Sequence, residues 1–256
     1  MKKAVLAVSF GTTHKHTREA NLDVIEQALA QHLPDYTVYR AFTSGMVMRR
    51  IQELEGIHID NTAEALQRLA QDGYRSVLIQ PTHVLCGEEH EKVLHAAHAN
   101  RALFEEMTFG APLLSCTLDM QEVVKALAEG IQTEPEEALV LMGHGANNFS
   151  NAAYAALDYM FKEAGYKHVF VGAVEGYPEL PVVLRQLKET LYKKVCLAPL
   201  MVVAGDHATN DMAGDEEDSW KSILTQEGYE VRCVVKGLGE YPAIREIYIR
   251  HALEAK

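Results

Sequence analysis

Three side chains in the second half of this sequence directly follow apolar runs and are of types that bind transition metals. His144 comes after ALVLMG, Glu175 after VFVGAV and His207 after VCLAPLMVVAGD. Two imidazoles and one carboxylate suit a borderline divalent ion such as cobalt, iron, nickel or zinc better than magnesium or calcium, and three ligands leave positions free for a substrate. Each residue alone has a plainer reading. A strand-end histidine often does no more than hydrogen-bond its loop, Glu175 could cap the helix after Pro178, and His207 could be an exposed loop residue. Gly143, Gly145, Gly176 and Gly205 lie next to the three and free space for a planar ligand. The combination therefore favours a metal site.

The chain holds twelve histidines, and most invite no chemistry. His90, His95 and His98 share a helical stretch and read as solvated, His83 ends a strand in the first half and could face a cleft, and the others fall in polar loops or on helix faces. Cys86, Cys116, Cys196 and Cys233 show no CxxC spacing and read as buried thiols in a reducing compartment. The net charge of −12 disfavours a nucleic-acid partner, which needs a basic face. No run approaches a membrane span and the start lacks the pattern of a signal peptide, so a cytoplasmic protein is expected. Arg40, Arg49 and Arg50 surround FTSGM and form a local basic cluster that could hold a polycarboxylate. The acidic run Asp211, Asp215, Glu216, Glu217 and Asp218 is expected to open a helix.

The elements that must position these residues are short apolar runs alternating with stretches of helical period, the pattern of βαβ units and parallel sheets. Strands are expected at 4–10, 37–42, 76–81, 138–142, 168–174, 195–199 and 230–235. Helices are expected at 17–32, 62–73, 88–107, 120–130, 151–165, 180–192, 211–228 and 241–255. In open parallel sheets ligands bind beyond the carboxyl ends of the strands, which is where His144, Glu175 and His207 fall. The absence of a GxGxxG or P-loop pattern weakens a nucleotide-binding reading.

The two halves also repeat. AVSFGTT (7–13) matches LMGHGAN (141–147), YRAFTSG (39–45) matches VGAVEGY (171–177), and VLIQPTHVLCGEE (77–89) matches VCLAPLMVVAGDH (195–207). This sets Phe10 opposite His144, Thr43 opposite Glu175 and Glu89 opposite His207. A duplicated α/β unit follows, with a cleft between halves of residues 1–125 and 126–256, the last helix packing back on the first half.

The segments SFGTTHKHTREANLDVIEQAL, YRAFTSGMVMRRIQ, LMGHGANN, VGAVEGYPE and LAPLMVVAGDHATNDMAGDEEDSWK closely resemble the anaerobic sirohydrochlorin cobaltochelatases, class II chelatases of cobalamin biosynthesis. The likeness runs the length of the chain. It implies a bilobal chelatase fold, each lobe a four-stranded parallel sheet flanked by helices, and ATP-independent insertion of Co²⁺ into sirohydrochlorin or precorrin-2. It further implies that His144 in MGHG, Glu175 in AVE and His207 in AGDH hold the metal, His144 also serving as base. Under the same resemblance Ser9, Phe10, Gly11 and Thr12 line the other macrocycle face. Arg49, Arg50 and Glu89 join the substrate contacts. No cofactor beyond the metal substrate is expected, and a homo-oligomer is possible. A sirohydrochlorin or porphyrin ferrochelatase, and a non-catalytic tetrapyrrole or metal carrier, remain as alternatives.

Overall fold

The computed structural model describes residues 1–256. It divides into two compact units, Met1–Ser115 with Pro242–Lys256 and Cys116–Tyr241. The division thus falls ten residues before the expected 125/126, at the head of a helix.

In the first unit, strands β1 (Lys2–Ser9), β2 (Thr37–Phe42), β3 (Tyr74–Pro81) and β4 (Glu106–Phe109) form a parallel sheet in the order β2-β1-β3-β4. The central strand reads KKAVLAVS because it is covered on both faces, and Ala4 to Val8 are fully buried. One face packs on α4 (Thr62–Gln71) and α5 (Glu88–Asn100), where Leu66, Leu69, Val93 and Ala97 meet Leu6, Val8, Val77 and Ile79. Asn61 starts α4 by a capping box with Glu64. The first helical stretch opens at Lys15, before the expected Thr17, and runs as α1 (Lys15–Arg18), a π-helical turn Glu19–Asp23 and α2 (Val24–His32). The chain returns to this unit for its last helix, α10 (Pro242–Leu253). That helix packs on α2 and β3, its Tyr248 hydroxyl donating to the Thr82 carbonyl at 2.8 Å.

The second unit repeats this layout. Strands β5 (Glu137–Gly143), β6 (Val169–Ala173), β7 (Lys194–Leu200) and β8 (Glu230–Cys233) form a parallel sheet ordered β6-β5-β7-β8. Helices α6 (Thr117–Gly130), α7 (Ala152–Glu163), α8 (Leu180–Lys188) and α9 (Trp220–Gln226) flank it. On one face Val183, Leu187, Trp220 and Leu224 cover Val140, Met142, Val195 and Leu197. Beneath the sheet's far end, buried Glu137 is held by Arg232 through two bonds of 2.7 Å.

Several expectations are corrected here. The stretch expected as one helix over 88–107 stops at Asn100, and its end is edge strand β4. Residues 45–55, not expected as regular structure, form α3 (Gly45–Glu55), capped by Ser44. The helix expected over 211–228 is a π-helical turn, His207–Met212, followed by a turn and then α9. Asp215 to Asp218 therefore open no helix: Ser219 caps α9 instead. Of the four cysteines only Cys196 is buried, while Cys86 and Cys116 are exposed. His251, expected on a polar face, is buried with its ring Nδ1 3.0 Å from the Ala111 carbonyl.

Candidate metal centre

Every ligand candidate lies on the segment that leaves the carboxyl end of a strand. His144 follows β5, Glu175 lies two residues past β6, and His207 begins the π-helical turn after β7. Since β5 is central and pairs with both β6 and β7, the strand order itself delivers the three side chains to one spot. Their ligand atoms lie within 4.8 Å of one another. His144 Nδ1 is 3.9 Å from a Glu175 carboxylate oxygen, and the imidazoles of His144 and His207 meet edge to face with centroids 4.6 Å apart. Separations of this size leave room for an ion that would draw the three inward.

Backbone geometry explains how the loops come so close. The Glu175 amide donates to the His144 carbonyl at 2.7 Å. Gly145 has φ of +105°, and a Cβ there would fall 2.3 Å from the Glu175 carbonyl oxygen. Glycine is needed at 145 for both reasons. Asn151 staples the same loops, accepting from the Ala146 amide at 3.0 Å and donating to the Tyr177 carbonyl at 2.6 Å. Under them the Tyr154 hydroxyl accepts from the Gly145 amide at 3.4 Å, and burial pushes its pKa up to about 12, so it stays a neutral support. Glu175 does not cap the following helix, whose N-cap residue is Glu179. Its carboxylate is 62% exposed, beside His144.

The repeat holds in backbone geometry at two of its three matches. Gly11 and Gly145, matched in sequence, share a left-handed φ of +97° and +105°. Val8 pairs with Pro81 as Met142 pairs with Pro199. Leu113 donates to the His83 carbonyl as Leu238 donates to that of Met201, so the third match is in register. The second is not. Ser44 donates to the Phe10 carbonyl where Glu175 donates to that of His144, so the counterpart of Glu175 is Ser44, one residue beyond Thr43. In the first unit the ligand positions thus hold Phe10, Ser44 and Glu89, which cannot form the same donor set.

The remaining candidates fare differently. Ser9 is buried and shares a 2.8 Å bond with the Thr82 hydroxyl, and Thr12 is buried as well. Gly11 lies against Phe42, whereas the Phe10 ring is exposed. Arg49 and Arg50 are exposed on α3, but Arg40 is engaged by Asp23 and Glu26 and leaves the basic cluster. Glu89 is half-buried, and burial pushes its pKa up, but the Lys92 ammonium that donates to it helps to hold it below the usual carboxylate range. His83 is buried with both ring nitrogens unpartnered, and burial together with nearby His90 brings its pKa down to about 4. A further group that sequence reading did not single out, His58, Asp60 and Glu64, also clusters. Its carboxylates are already used, Asp60 by Arg68 at 2.8 Å and Glu64 by the Asn61 amide at 2.9 Å.

Two similar four-stranded parallel α/β units form the chelatase fold. The chain has a TM-score of 0.66 with the structure of SirB from Bacillus subtilis with Fe³⁺, at 16% identity and covering 99% of this chain and 95% of that one. The cobalt chelatase (CbiK) family model matches residues 3–256, and the chain belongs to that family. Among its relatives is the sirohydrochlorin cobaltochelatase of Salmonella typhimurium, 43% identical over 256 residues, covering 100% of this chain and 97% of the relative. Another is the sirohydrochlorin cobaltochelatase CbiKC of Nitratidesulfovibrio vulgaris, 33% identical over 258 residues, covering 99% and 90%.

Proposed function

We propose that the protein inserts Co²⁺ into sirohydrochlorin, as a step of anaerobic cobalamin biosynthesis, with His144, Glu175 and His207 holding the incoming ion. The observation that carries this reading is the convergence of the three ligand atoms within 4.8 Å in a member of the cobalt chelatase family. The donor types also admit Fe²⁺. Cobalt is preferred because both relatives named above are cobaltochelatases.

The reaction exchanges two pyrrole N–H protons for one dication, so it needs a perch for the metal and an acceptor for protons. No ATP is needed for that exchange to balance. Glu175 and His207 keep the cation at the strand ends while the macrocycle nitrogens replace water in its coordination sphere. His144 shares the ligand set at first. Once the ion has passed to the ring, its freed imidazole nitrogen takes up one pyrrole proton and water takes up the other. The exposure of the three side chains, 45%, 62% and 36%, keeps the ions and released protons in exchange with water.

We assign the exposed Phe10 ring, the loop of Ser9, Gly11 and Thr12, and Glu89 to contacts with the macrocycle, and Arg49 and Arg50 to its carboxylates. No helix is long and apolar enough to cross a membrane. A cytoplasmic location and assembly as a homo-oligomer belong to the same reading. The test is an absorption assay with purified protein, sirohydrochlorin and Co²⁺. Repeated turnover well above the uncatalysed rate is expected, and a single stoichiometric uptake would instead make the protein a carrier.

A further inference from the structure

His207 is tied to a second residue that no ligand assignment includes. Its Nδ1 lies 2.7 Å from a carboxylate oxygen of Asp211, four residues on along the same π-helical turn. An ionised carboxylate only accepts hydrogen bonds, so Nδ1 carries the proton and the lone pair free for a cation is on Nε2. The ordinary α-helix is abandoned at this turn, over His207–Met212. The Asp211 side chain is 47% exposed and forms its ion pair with this imidazole. The His207 side chain is 36% exposed, and the hydrogen bond adds to the orientation that packing gives its ring. The perpendicular ring of His144, 4.6 Å away, then meets it at a fixed angle.

We infer that Asp211 is a positioning residue of the metal centre, which sets the tautomer and ring orientation of His207 and makes its Nε2 a stronger donor to the divalent ion. Carboxylate partners of ligating histidines typically contribute 10–100-fold to metal affinity or activity. The inference rests on the proposed ligand role of His207 and is tested on Co²⁺ alone, without tetrapyrrole.

Calorimetric titration with CoCl₂, accompanied by the visible spectrum of the bound ion, is applied to the wild type, His207→Ala, Asp211→Ala, Asp211→Asn and Glu217→Gln. Glu217 is exposed and nearby in sequence, and controls for the loss of one negative charge. Asp211→Ala is expected to weaken Co²⁺ binding about 10–100-fold. Asp211→Asn, which can still accept from Nδ1–H but lacks the charge, should fall between it and wild type with shifted visible bands. Glu217→Gln should bind within about twofold of wild type, as expected for an exposed charge under screening. If Asp211→Ala also stays within that range while His207→Ala loses binding, the positioning role is overturned and the ligand assignment stands. If Glu217→Gln weakens binding as much as Asp211→Ala, the effect is one of general charge and the role is likewise overturned. If His207→Ala binds as wild type does, the ligand assignment itself falls.

Discussion

Under the proposed assignment His144, Glu175 and His207 carry the chemistry but little of the stability. Their side chains are 45%, 62% and 36% exposed, and substitutions at such positions usually shift stability by no more than about 0.5 kcal/mol. Alanine at any of the three should therefore leave the melting temperature nearly unchanged while cobalt insertion at limiting Co²⁺ drops. The largest loss is expected for His144, on the order of 10²–10⁴, because the proposal gives it the roles of both ligand and base. Steady-state rates with all three variants check this, and wild-type rates in the two histidine variants would refute the assignment. His83 presents the opposite case, a residue with a cost to stability and no assigned chemistry. Its pKa is about 4 when folded, against 6.5 for an ordinary histidine, because of burial first and the neighbouring His90 second. Between those values the unfolded chain binds a proton that the folded one does not. Stability is thus complete above about pH 6.5 and falls as the pH drops toward 4, by roughly 3 kcal/mol for this group alone. Glu89, whose pKa is lowered, loses its own contribution only further down, below the ordinary carboxylate value of 4.5. Urea denaturation at pH 7 and pH 4.5 should show a smaller acid loss for His83→Gln than for wild type, and equal losses would contradict the assignment.

At the scale of elements, the strand order and the glycine at the β5 loop do the positioning. Gly145→Ala forces a left-handed φ on alanine and drives a Cβ into the Glu175 carbonyl, so the loops bearing two ligands must separate. A stability loss of about 1–3 kcal/mol is expected, together with a raised KM for Co²⁺. An unchanged KM would mean that the loop spacing does not set the ligand geometry. The convergence of His144, Glu175 and His207 is legible in the sequence because they follow apolar runs in a parallel α/β pattern, where sites are found irrespective of side-chain detail. Other elements are not. Strand β4 is four residues long at the sheet's edge, and its EMTF reads as a continuation of the helical period before it. Helix α3 buries only Val47 and Ile51 while Met46 and Leu54 are exposed, so no broad apolar stripe announces it. The turn after Met212 was hidden by acidic residues that usually favour a helix start, and the informative residue was Ser219, the cap. The His207–Asp211 pair carried a signal in its spacing of four, but such a spacing is common on ordinary helices.

On the scale of the whole molecule, duplication followed by divergence accounts for one proposed metal centre and not two. Both units keep the same strand order and the same left-handed glycine after the first strand. Only the second carries two imidazoles and a carboxylate at the three matching places, which Phe10, Ser44 and Glu89 occupy in the first. The overall charge of −12 suits attraction of a divalent cation, while the proposed polycarboxylate substrate would depend on local arginines, the role proposed for Arg49 and Arg50. The decisive measurement is anomalous diffraction at the cobalt edge from crystals of the protein grown with Co²⁺. The account predicts a single strong peak bonded to His144, Glu175 and His207 at roughly 2.0–2.2 Å, as for nitrogen and oxygen ligands of similar divalent ions. A peak at His58, Asp60 and Glu64 instead, or none touching the two strand-end histidines, would contradict it.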